Sequence, residues 1–199
     1  NEAVCAYPFI QSKEKNIVQL EITKINEWDH LIEAVITGKT EDDQTISFFD
    51  TSYFLHKETY KIGETYDFAI SALGYNVKIQ EEKSLSLEGQ DAIDWLEKIE
   101  EEPTYDEKGN VEPFVFHLSH FVIFMQLNKE CPDDAEFLSP VSSVETIRAF
   151  DKDFYKFKIT LLRFPEIEIN LYAKTDFFDQ KPKVGDLLTG FMWLQGEKV

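Results

Sequence analysis

The fold is decided by a stretch that occurs twice, first as Tyr60-Lys61-Ile62-Gly63-Glu64-Thr65-Tyr66-Asp67-Phe68-Ala69-Ile70-Ser71-Ala72-Leu73-Gly74. The chain ends on a related stretch, Lys183-Val184-Gly185-Asp186-Leu187-Leu188-Thr189-Gly190-Phe191-Met192-Trp193-Leu194-Gln195-Gly196. From Lys61 and from Lys183, each runs as a basic residue, a β-branched residue, a glycine and an acid, and continues as a strand-like segment up to a glycine. A glycine in this setting predicts a tight turn, and we expect Gly63 to take a positive φ there.

The repetition reaches back along the chain from these two stretches. Gly185 lies 122 residues after Gly63, and residues 49–54 match residues 172–177 at an offset of 123. At an offset of 122 residues again, Ile25, Trp28 and Asp29 match Ile147, Phe150 and Asp151. Chance similarity of turn sequences among β-rich chains is the alternative explanation, but three separate segments agree at nearly one offset. The sequence therefore predicts an internal duplication, with copies at residues 17–76 and 141–199.

This duplication sets the predicted domain organisation. A chain of 199 residues is long enough to bury a substantial core, in one domain or in two small ones. We predict a first barrel-like half at residues 1–76, an insert at residues 77–140 and a second barrel-like half at residues 141–199. The three parts are expected to pack as one body.

Alternating apolar and polar residues predict strands in both copies. Val18, Leu20 and Ile22 alternate with polar residues, which is typical of a half-buried strand. Strands of the first copy are predicted at residues 17–25, 31–37, 45–50 and 65–73. Those of the second copy are predicted at residues 141–150, 154–162, 167–172 and 187–195. Short helical turns are predicted at residues 51–59 and 174–178.

This element order resembles that of the OB-fold, a small closed Greek-key barrel. It consists of three strands, a short helical connection and a further strand, and it covers about 60 residues in each copy. The resemblance implies a mainly β fold with a minor α component, built of two OB-like β-barrels in tandem. It also implies a barrel face on which aromatic side chains stack against a ligand.

Charge is the strongest bulk property of the chain. Asp and Glu number 38 against 20 Lys and Arg, which gives a formal net charge of −18 at pH 7. Such a surface repels phosphate groups, so nonspecific binding to nucleic acid and to anionic lipid is disfavoured. Between Glu81 and Glu112 there are twelve acids and three lysines. Half of the excess negative charge therefore lies in the predicted insert.

Hydropathy and cysteine content bear on the compartment. The sequence contains no apolar run near 18 residues and opens without a signal-peptide pattern, so no membrane-spanning helix is predicted. Cys5 and Cys131 are far apart and belong to no paired motif. A reduced, cytoplasmic protein is the simpler prediction, and a single disulfide between the two cysteines is the alternative.

The insert contains one clear helical pattern. Ile93, Leu96 and Ile99 recur at helical spacing, with Ser86 as the predicted N-cap and Pro103 as the predicted stop. The helix is therefore predicted at residues 87–102. Its other face carries five carboxylates, those of Asp91, Asp94, Glu97, Glu100 and Glu101.

The insert also contains the most apolar segment of the chain, residues 113–127. It is too short to span a bilayer as a helix, and its aromatic and β-branched residues favour a strand that is buried on both faces. The second copy ends without a fifth strand. We therefore hypothesise that residues 114–127 close the second barrel.

Motifs for catalysis, nucleotide binding and metal binding are absent from the sequence. His117 and His120 are three residues apart, so on a strand they face opposite sides and are predicted to be structural. Asp50 follows an apolar strand and precedes Thr51 and Ser52, which favours a capping role over a catalytic one. No catalytic residue, cofactor or metal site is predicted.

Three classes of function are consistent with the sequence. The first is a non-enzymatic protein-binding module, of the inhibitor or immunity type, whose acidic helical face meets a basic partner. The second is recognition of an oligonucleotide or oligosaccharide on a barrel face, by Trp28, Tyr53 and Trp193. The third is an enzyme with a carboxylate-based site. The protein-binding module is the function that we predict.

Overall fold

Strands dominate the computed structural model, which describes residues 6–127 and 132–199. Strands hold 53% of the residues and helices 12%, so the prediction of a mainly β fold with a minor α component is confirmed. Cys5 and Cys131, predicted to be reduced with a disulfide between them as the alternative, lie outside the described part of the chain.

The chain folds as two compact units. The first unit comprises the described residues within Asn1–Ile79 and Val122–Val199, and the second comprises Gln80–Phe121. The first unit contains β1 (Ile17–Glu27), β2 (Ala34–Lys39), β3 (Thr45–Asp50), α1 (Tyr53–His56), β4 (Thr65–Ile79), β7 (Ile123–Gln126), β8 (Asp134–Ala149), β9 (Lys152–Arg163), β10 (Glu166–Lys174) and β11 (Leu187–Lys198). The second unit contains β5 (Ser84–Leu87), α2 (Gly89–Lys98) and β6 (Phe114–His117). Short 3-10 turns occupy Lys57–Thr59, Leu118–His120 and Thr175–Phe177.

Five strands of the first unit form a first closed ring, in the order β1-β2-β3-β11-β4 and back to β1. Neighbours are antiparallel except β3 and β11, which are parallel and pair at Phe49 and Gln195. Helix α1 lies between β3 and β4 in the chain. A ring of five strands agrees with the five-stranded barrel that the sequence resemblance implied.

A second closed ring runs β8-β9-β10-β4-β11 and back to β8. Its one parallel pair joins β10 to β4, where Tyr172 pairs with Leu73. Tyr172 lies 123 residues after Phe49, and Gln195 lies 122 residues after Leu73. The parallel pairs of the two rings therefore occupy matching positions of the repeated sequence.

Strands β4 and β11 belong to both rings. They are antiparallel, and Ala72 pairs with Leu194, which lies 122 residues later in the chain. The pairing is therefore centred on two corresponding residues. Each half of the sequence supplies the strand that closes the ring of the other half.

The two glycine turns have the same geometry. Gly63 has a φ of 86° and Gly185 a φ of 88°, so the positive φ predicted for Gly63 is confirmed. The Gly63 N–H donates a 2.8 Å hydrogen bond to the carbonyl oxygen of Ile22, and the Gly185 N–H donates one of 2.9 Å to that of Val141. Both turns are thereby fixed to the first strand of their own ring.

The offset predicted for the first strand of each copy is wrong. A bulge falls between Ile22 and Lys24 in the β1–β2 pairing, and another between Val141 and Ser143 in the β8–β9 pairing. These bulges are 119 residues apart, not 122. The difference arises because β9 has twelve residues and β2 only six, which outweighs the shorter connection between β8 and β9.

The buried strand predicted at residues 113–127 is also wrong. The segment is divided into β6, a 3-10 turn and β7, and Ile123 and Met125 of β7 are exposed. Strand β7 pairs with β8 outside the second ring, so residues 114–127 do not close that ring. Strand β4 closes it instead, because its residues 71–73 pair with β10 while its continuation to Ile79, beyond the predicted end at residue 73, pairs with β11.

One hydrophobic core serves both rings. Val18, Leu20 and Ile22 point inward from β1, as their alternation predicted, and they belong to the same buried cluster as Phe157 and Ile169. Each fully buried side chain of this size contributes about 1.5–3 kcal/mol of hydrophobic stabilisation. In the part of the chain that the structure describes, helices long and apolar enough to cross a membrane are absent.

Candidate functional site

The acid-rich helix is α2 (Gly89–Lys98) in the second unit. It is shorter than the helix predicted at residues 87–102. Glu88 precedes it with extended backbone, so Ser86 is not the N-cap that the sequence predicted. Asp91 lies in the first turn, where a negative charge interacts favourably with the helix dipole.

The C-terminal end of α2 is closed by its own backbone. The Glu101 N–H donates a 2.9 Å hydrogen bond to the carbonyl oxygen of Leu96. Glu100 has a φ of 58°, the left-handed conformation that commonly ends helices. Glu100 and Glu101 therefore follow the helix, and the chain leaves the helix before Pro103 is reached.

Aromatic packing holds the helix in place. Ala92 and Leu96 are buried, four residues apart on one side of α2. Beside them the Trp95 ring lies 5.0 Å from the Phe116 ring, and Phe116 lies 5.0 Å from Phe114, both measured between ring centroids. The two phenylalanines come from β6, which pairs with β5. The side of the helix that carries the acids is therefore fixed in orientation.

The five predicted carboxylates are exposed. Asp91, Asp94 and Glu97 lie on α2, and Glu100 and Glu101 lie just beyond its end. Asp94 accepts a 2.7 Å hydrogen bond from the Gln90 side-chain amide. Among the residues described, none of the five forms an ion pair with a basic side chain. Their charge is thus not compensated by an ion pair with any described residue.

The three predicted aromatic ligand-binding residues have different environments. Trp28 is 45% exposed and lies 5.8 Å from Phe49, which also contacts Trp193 at 5.2 Å. Trp193 is half-buried, and its indole N–H donates a 2.7 Å hydrogen bond to Asp133. Tyr53 is only 5% exposed, and its hydroxyl donates to Glu27 at 2.5 Å. The structure brings Trp28 and Trp193 together around Phe49 and buries Tyr53 elsewhere.

The loop that presents Trp28 is well fixed. The Trp28 N–H donates a 3.0 Å hydrogen bond to the Glu33 carbonyl oxygen, and the Leu31 N–H donates one of 2.8 Å to the Trp28 carbonyl oxygen. The buried Glu33 carboxylate lies 2.9 Å from the His30 ring nitrogen. Lys57 adds a 2.8 Å hydrogen bond to the Leu31 carbonyl oxygen.

Asp50, for which the sequence favoured a capping role, is a buried carboxylate at the end of β3. It is 2% exposed and accepts hydrogen bonds from the Ser52 N–H and hydroxyl, both at 2.8 Å, and from the Tyr60 hydroxyl at 2.6 Å. Burial raises the pKa of Asp50, and these donors oppose the rise. Three donors fill the carboxylate, which agrees with a structural role at the start of α1.

Tyr60 was missed by the sequence analysis. It opens the repeated stretch, but its contact with Asp50 depends on how the helical turn between them folds. Burial, followed by the charge of Asp50, raises the pKa of Tyr60. Its hydroxyl therefore stays protonated and remains a donor at neutral pH.

The two histidines of the second unit lie close together at its surface. His117 and His120 are exposed, and their ring centroids lie 5.8 Å apart. Within residues 6–127 and 132–199, no group of three or more His, Cys, Asp or Glu side chains is arranged to hold a metal ion.

Comparison with known proteins found no matching family model, no matching curated protein and no matching solved structure.

Proposed function

We propose that this protein is a non-enzymatic binding protein that recognises a basic partner protein through the acid-rich helix. The observation that carries this proposal is the set of exposed carboxylates on and after α2, none of which is paired with a basic side chain in the described part of the chain. An inhibitor or immunity protein is the type of binding protein that this surface suits.

Uncompensated charge favours association with a basic surface. Like charges held close together on a rigid helix repel one another. The positive charges of a basic partner reduce this repulsion, and the carboxylates in turn reduce the repulsion among those positive charges. Attraction between the two surfaces extends over about one Debye length, roughly 8 Å at physiological ionic strength. The effect on association is therefore mainly a faster encounter.

Rigidity adds to the suitability of this surface. The Trp95–Phe116 contact and the hydrogen bond from Glu101 to Leu96 fix the helix before any partner arrives. A preorganised surface loses less conformational entropy on binding than a mobile one. Ile99 is also exposed beside the acids, and it offers an apolar contact within the charged surface.

A charge-reversal experiment tests the proposal. The triple variant Asp94→Lys, Glu97→Lys and Glu101→Lys reverses three charges at the acid-rich helix. The matched control reverses three exposed carboxylates of the first unit, Glu41→Lys, Asp42→Lys and Asp179→Lys. Both variants change the net charge equally, so any difference between them reports on location.

The readout is capture of basic proteins from the native host, followed by measured association rates for the captured partner. We expect the wild type and the control to bind the same partner, with association slowed at least tenfold by salt between about 0.05 and 0.5 M. The helix variant should lose this partner. Equal binding by both variants would contradict the proposal.

Trp28 supports a second candidate function, recognition of an oligosaccharide or of a short single strand on the outer face of the first ring. Its exposed indole rests on Phe49 in a fixed loop, and such a ring is able to stack on a sugar or a base. The net charge of −18 favours the sugar. Quenching of tryptophan fluorescence by glycans, and its loss in Trp28→Ala, would support this candidate.

A further inference from the structure

A buried tyrosine on β10 has a hydroxyl without a hydrogen-bond partner. Tyr172 is 1% exposed, and within the described part of the chain its hydroxyl forms no hydrogen bond of good geometry, although the Ser12 side chain lies close to it. Burial raises the pKa of Tyr172, and the nearby Ser12 side chain and the charge of Lys156 moderate this rise. The hydroxyl is therefore protonated at neutral pH. An unpaired buried hydroxyl costs free energy that phenylalanine would not cost.

The corresponding position of the first ring shows that the ring does not need this hydroxyl. Phe49 pairs with Gln195 across the parallel strands β3 and β11, just as Tyr172 pairs with Leu73 across β10 and β4. Phe49 fills its position with a ring alone. The hydroxyl of Tyr172 is thus an addition to a packing scheme that works without it.

Tyr172 lines a cleft of about 330 Å³ on the first unit, with its hydroxyl oxygen buried behind the cleft surface. One side of the cleft is the segment that precedes β1, including Ser12 and Glu14, and the other side is formed by Glu145, Lys156 and Tyr172. The Lys156 ammonium lies 2.8 Å from the Glu145 carboxylate and 3.3 Å from that of Glu14. The Lys156 side chain is only 14% exposed, whereas both carboxylates are largely open to solvent.

We propose that this cleft binds a small neutral polyhydroxy molecule of monosaccharide size, with the Tyr172 hydroxyl as a buried anchor. Sugar hydroxyls both donate and accept hydrogen bonds, so they match the hydroxyls of Tyr172 and Ser12. The carboxylates of Glu14 and Glu145 accept from neighbouring hydroxyls of the same ligand. An anion is disfavoured because two carboxylates already share the one ammonium of Lys156.

The cleft belongs to the first unit and is independent of the acid-rich helix. Its volume admits a single sugar ring but not a folded partner. A failure to bind sugars would therefore not count against the proposed recognition of a basic protein, and a failure of that recognition would not count against the sugar site.

The test is a titration of the isotope-labelled full chain with a panel of hexoses and pentoses, followed by amide chemical shifts. We expect at least one sugar to shift the amide signals of Ser12, Glu14 and Tyr172 at millimolar concentration. The variant Tyr172→Phe should weaken this binding about tenfold, which corresponds to the loss of one hydrogen bond. Tyr155→Phe is the matched control, because it removes a hydroxyl from β9 that does not line the cleft, and it should bind as the wild type does.

Further measurements keep the proposal open to refutation. Tyr172→Phe should be at least as resistant to urea as the wild type, and a clear loss of stability would instead assign the hydroxyl a structural role. A second variant, Glu145→Gln, should also weaken the sugar. The proposal is overturned if no sugar shifts these amides at 50 mM, if Tyr172→Phe binds as tightly as the wild type, or if a sugar phosphate or a diamine binds more tightly than every neutral sugar.

Discussion

Replacing Tyr60 by phenylalanine removes the hydroxyl that donates a 2.6 Å hydrogen bond to the Asp50 carboxylate. The carboxylate is 2% exposed, so water does not readily take the place of this donor. Hydrogen bonds to charged groups contribute about 1.5–3 kcal/mol, and a buried acceptor that loses its donor pays the full desolvation cost. We therefore expect Tyr60→Phe to lower the free energy of unfolding by about 2 kcal/mol at pH 7.

The pH dependence of this loss identifies its cause. Burial already raises the pKa of Asp50 above its ordinary value of 3.8, and the Tyr60 hydroxyl opposes this rise. A carboxyl whose pKa is raised by folding stabilises the fold most below its unfolded pKa, and this contribution is lost as the pH rises through the folded pKa. Removing the hydroxyl raises the folded pKa further. The difference between variant and wild type should therefore shrink as the pH is lowered through the raised pKa of Asp50 and the carboxyl becomes protonated.

Urea unfolding followed by far-ultraviolet circular dichroism measures both quantities. Tyr66→Phe is the matched control, because its hydroxyl bonds the Thr59 carbonyl oxygen at 2.8 Å on an exposed surface. The control should cost less than about 1 kcal/mol, with no dependence on pH between 4.5 and 7. A Tyr60→Phe variant that loses less than about 0.5 kcal/mol, or that loses the same amount at every pH, would refute the reasoning.

Three further predictions concern the two rings. Gly63→Ala should lower the free energy of unfolding by about 1–2 kcal/mol in urea titrations, because Gly63 has a φ of 86°; no change would mean that the turn relaxes at no cost. Fragments 1–110 and 111–199 should be insoluble when expressed alone and soluble when expressed together, because each ring is closed by a strand of the other fragment; two independently folded pieces would contradict the exchange. Trp193→Phe should lower stability by about 1–3 kcal/mol at neutral pH, because the buried Asp133 carboxylate loses its 2.7 Å donor; an unchanged urea midpoint would show that water replaces the indole.

Local patterns predicted most of the first ring. The alternation of Val18, Leu20 and Ile22 required a strand with one buried face, and the glycine of the repeated stretch required a positive φ. The observed strands β1 to β3 and the short helix α1 lie within a few residues of their predicted positions. These features depend on residues that are close together in the sequence, so the sequence alone was sufficient to predict them.

The acid-rich helix was predicted in type and in composition but not in its limits. Asp91, Asp94 and Glu97 are exposed on α2, as their spacing indicated. Glu100 and Glu101 lie beyond the helix because the backbone turns at Glu100 and closes on Leu96. The cap is a backbone conformation of a glutamate, and no residue type in the sequence marked it.

Side-chain exposure at the candidate sites was not readable from the sequence. Trp28 and Tyr53 are both aromatic and close to strand ends, yet Trp28 is exposed and Tyr53 is buried against Tyr60. The difference depends on which parts of the chain cover each ring. The repeat aligns Tyr172 with Phe49, so the sequence shows that the second copy has an additional hydroxyl at this position. Only the structure shows that Tyr172 lies beside a cleft, where a hydroxyl could serve in binding.

By itself, the sequence determined the β-rich composition of the fold, the repeated turn at Gly63 and Gly185, and the concentration of acids in the second unit. The tertiary structure alone decided that β4 and β11 exchange between the halves, with Ala72 opposite Leu194. Strand exchange is settled by pairing between segments more than one hundred residues apart, and its free energy comes from burying both apolar faces in one core. A local sequence pattern predicts that a segment forms a strand. Only the folded chain decides which other strand pairs with it.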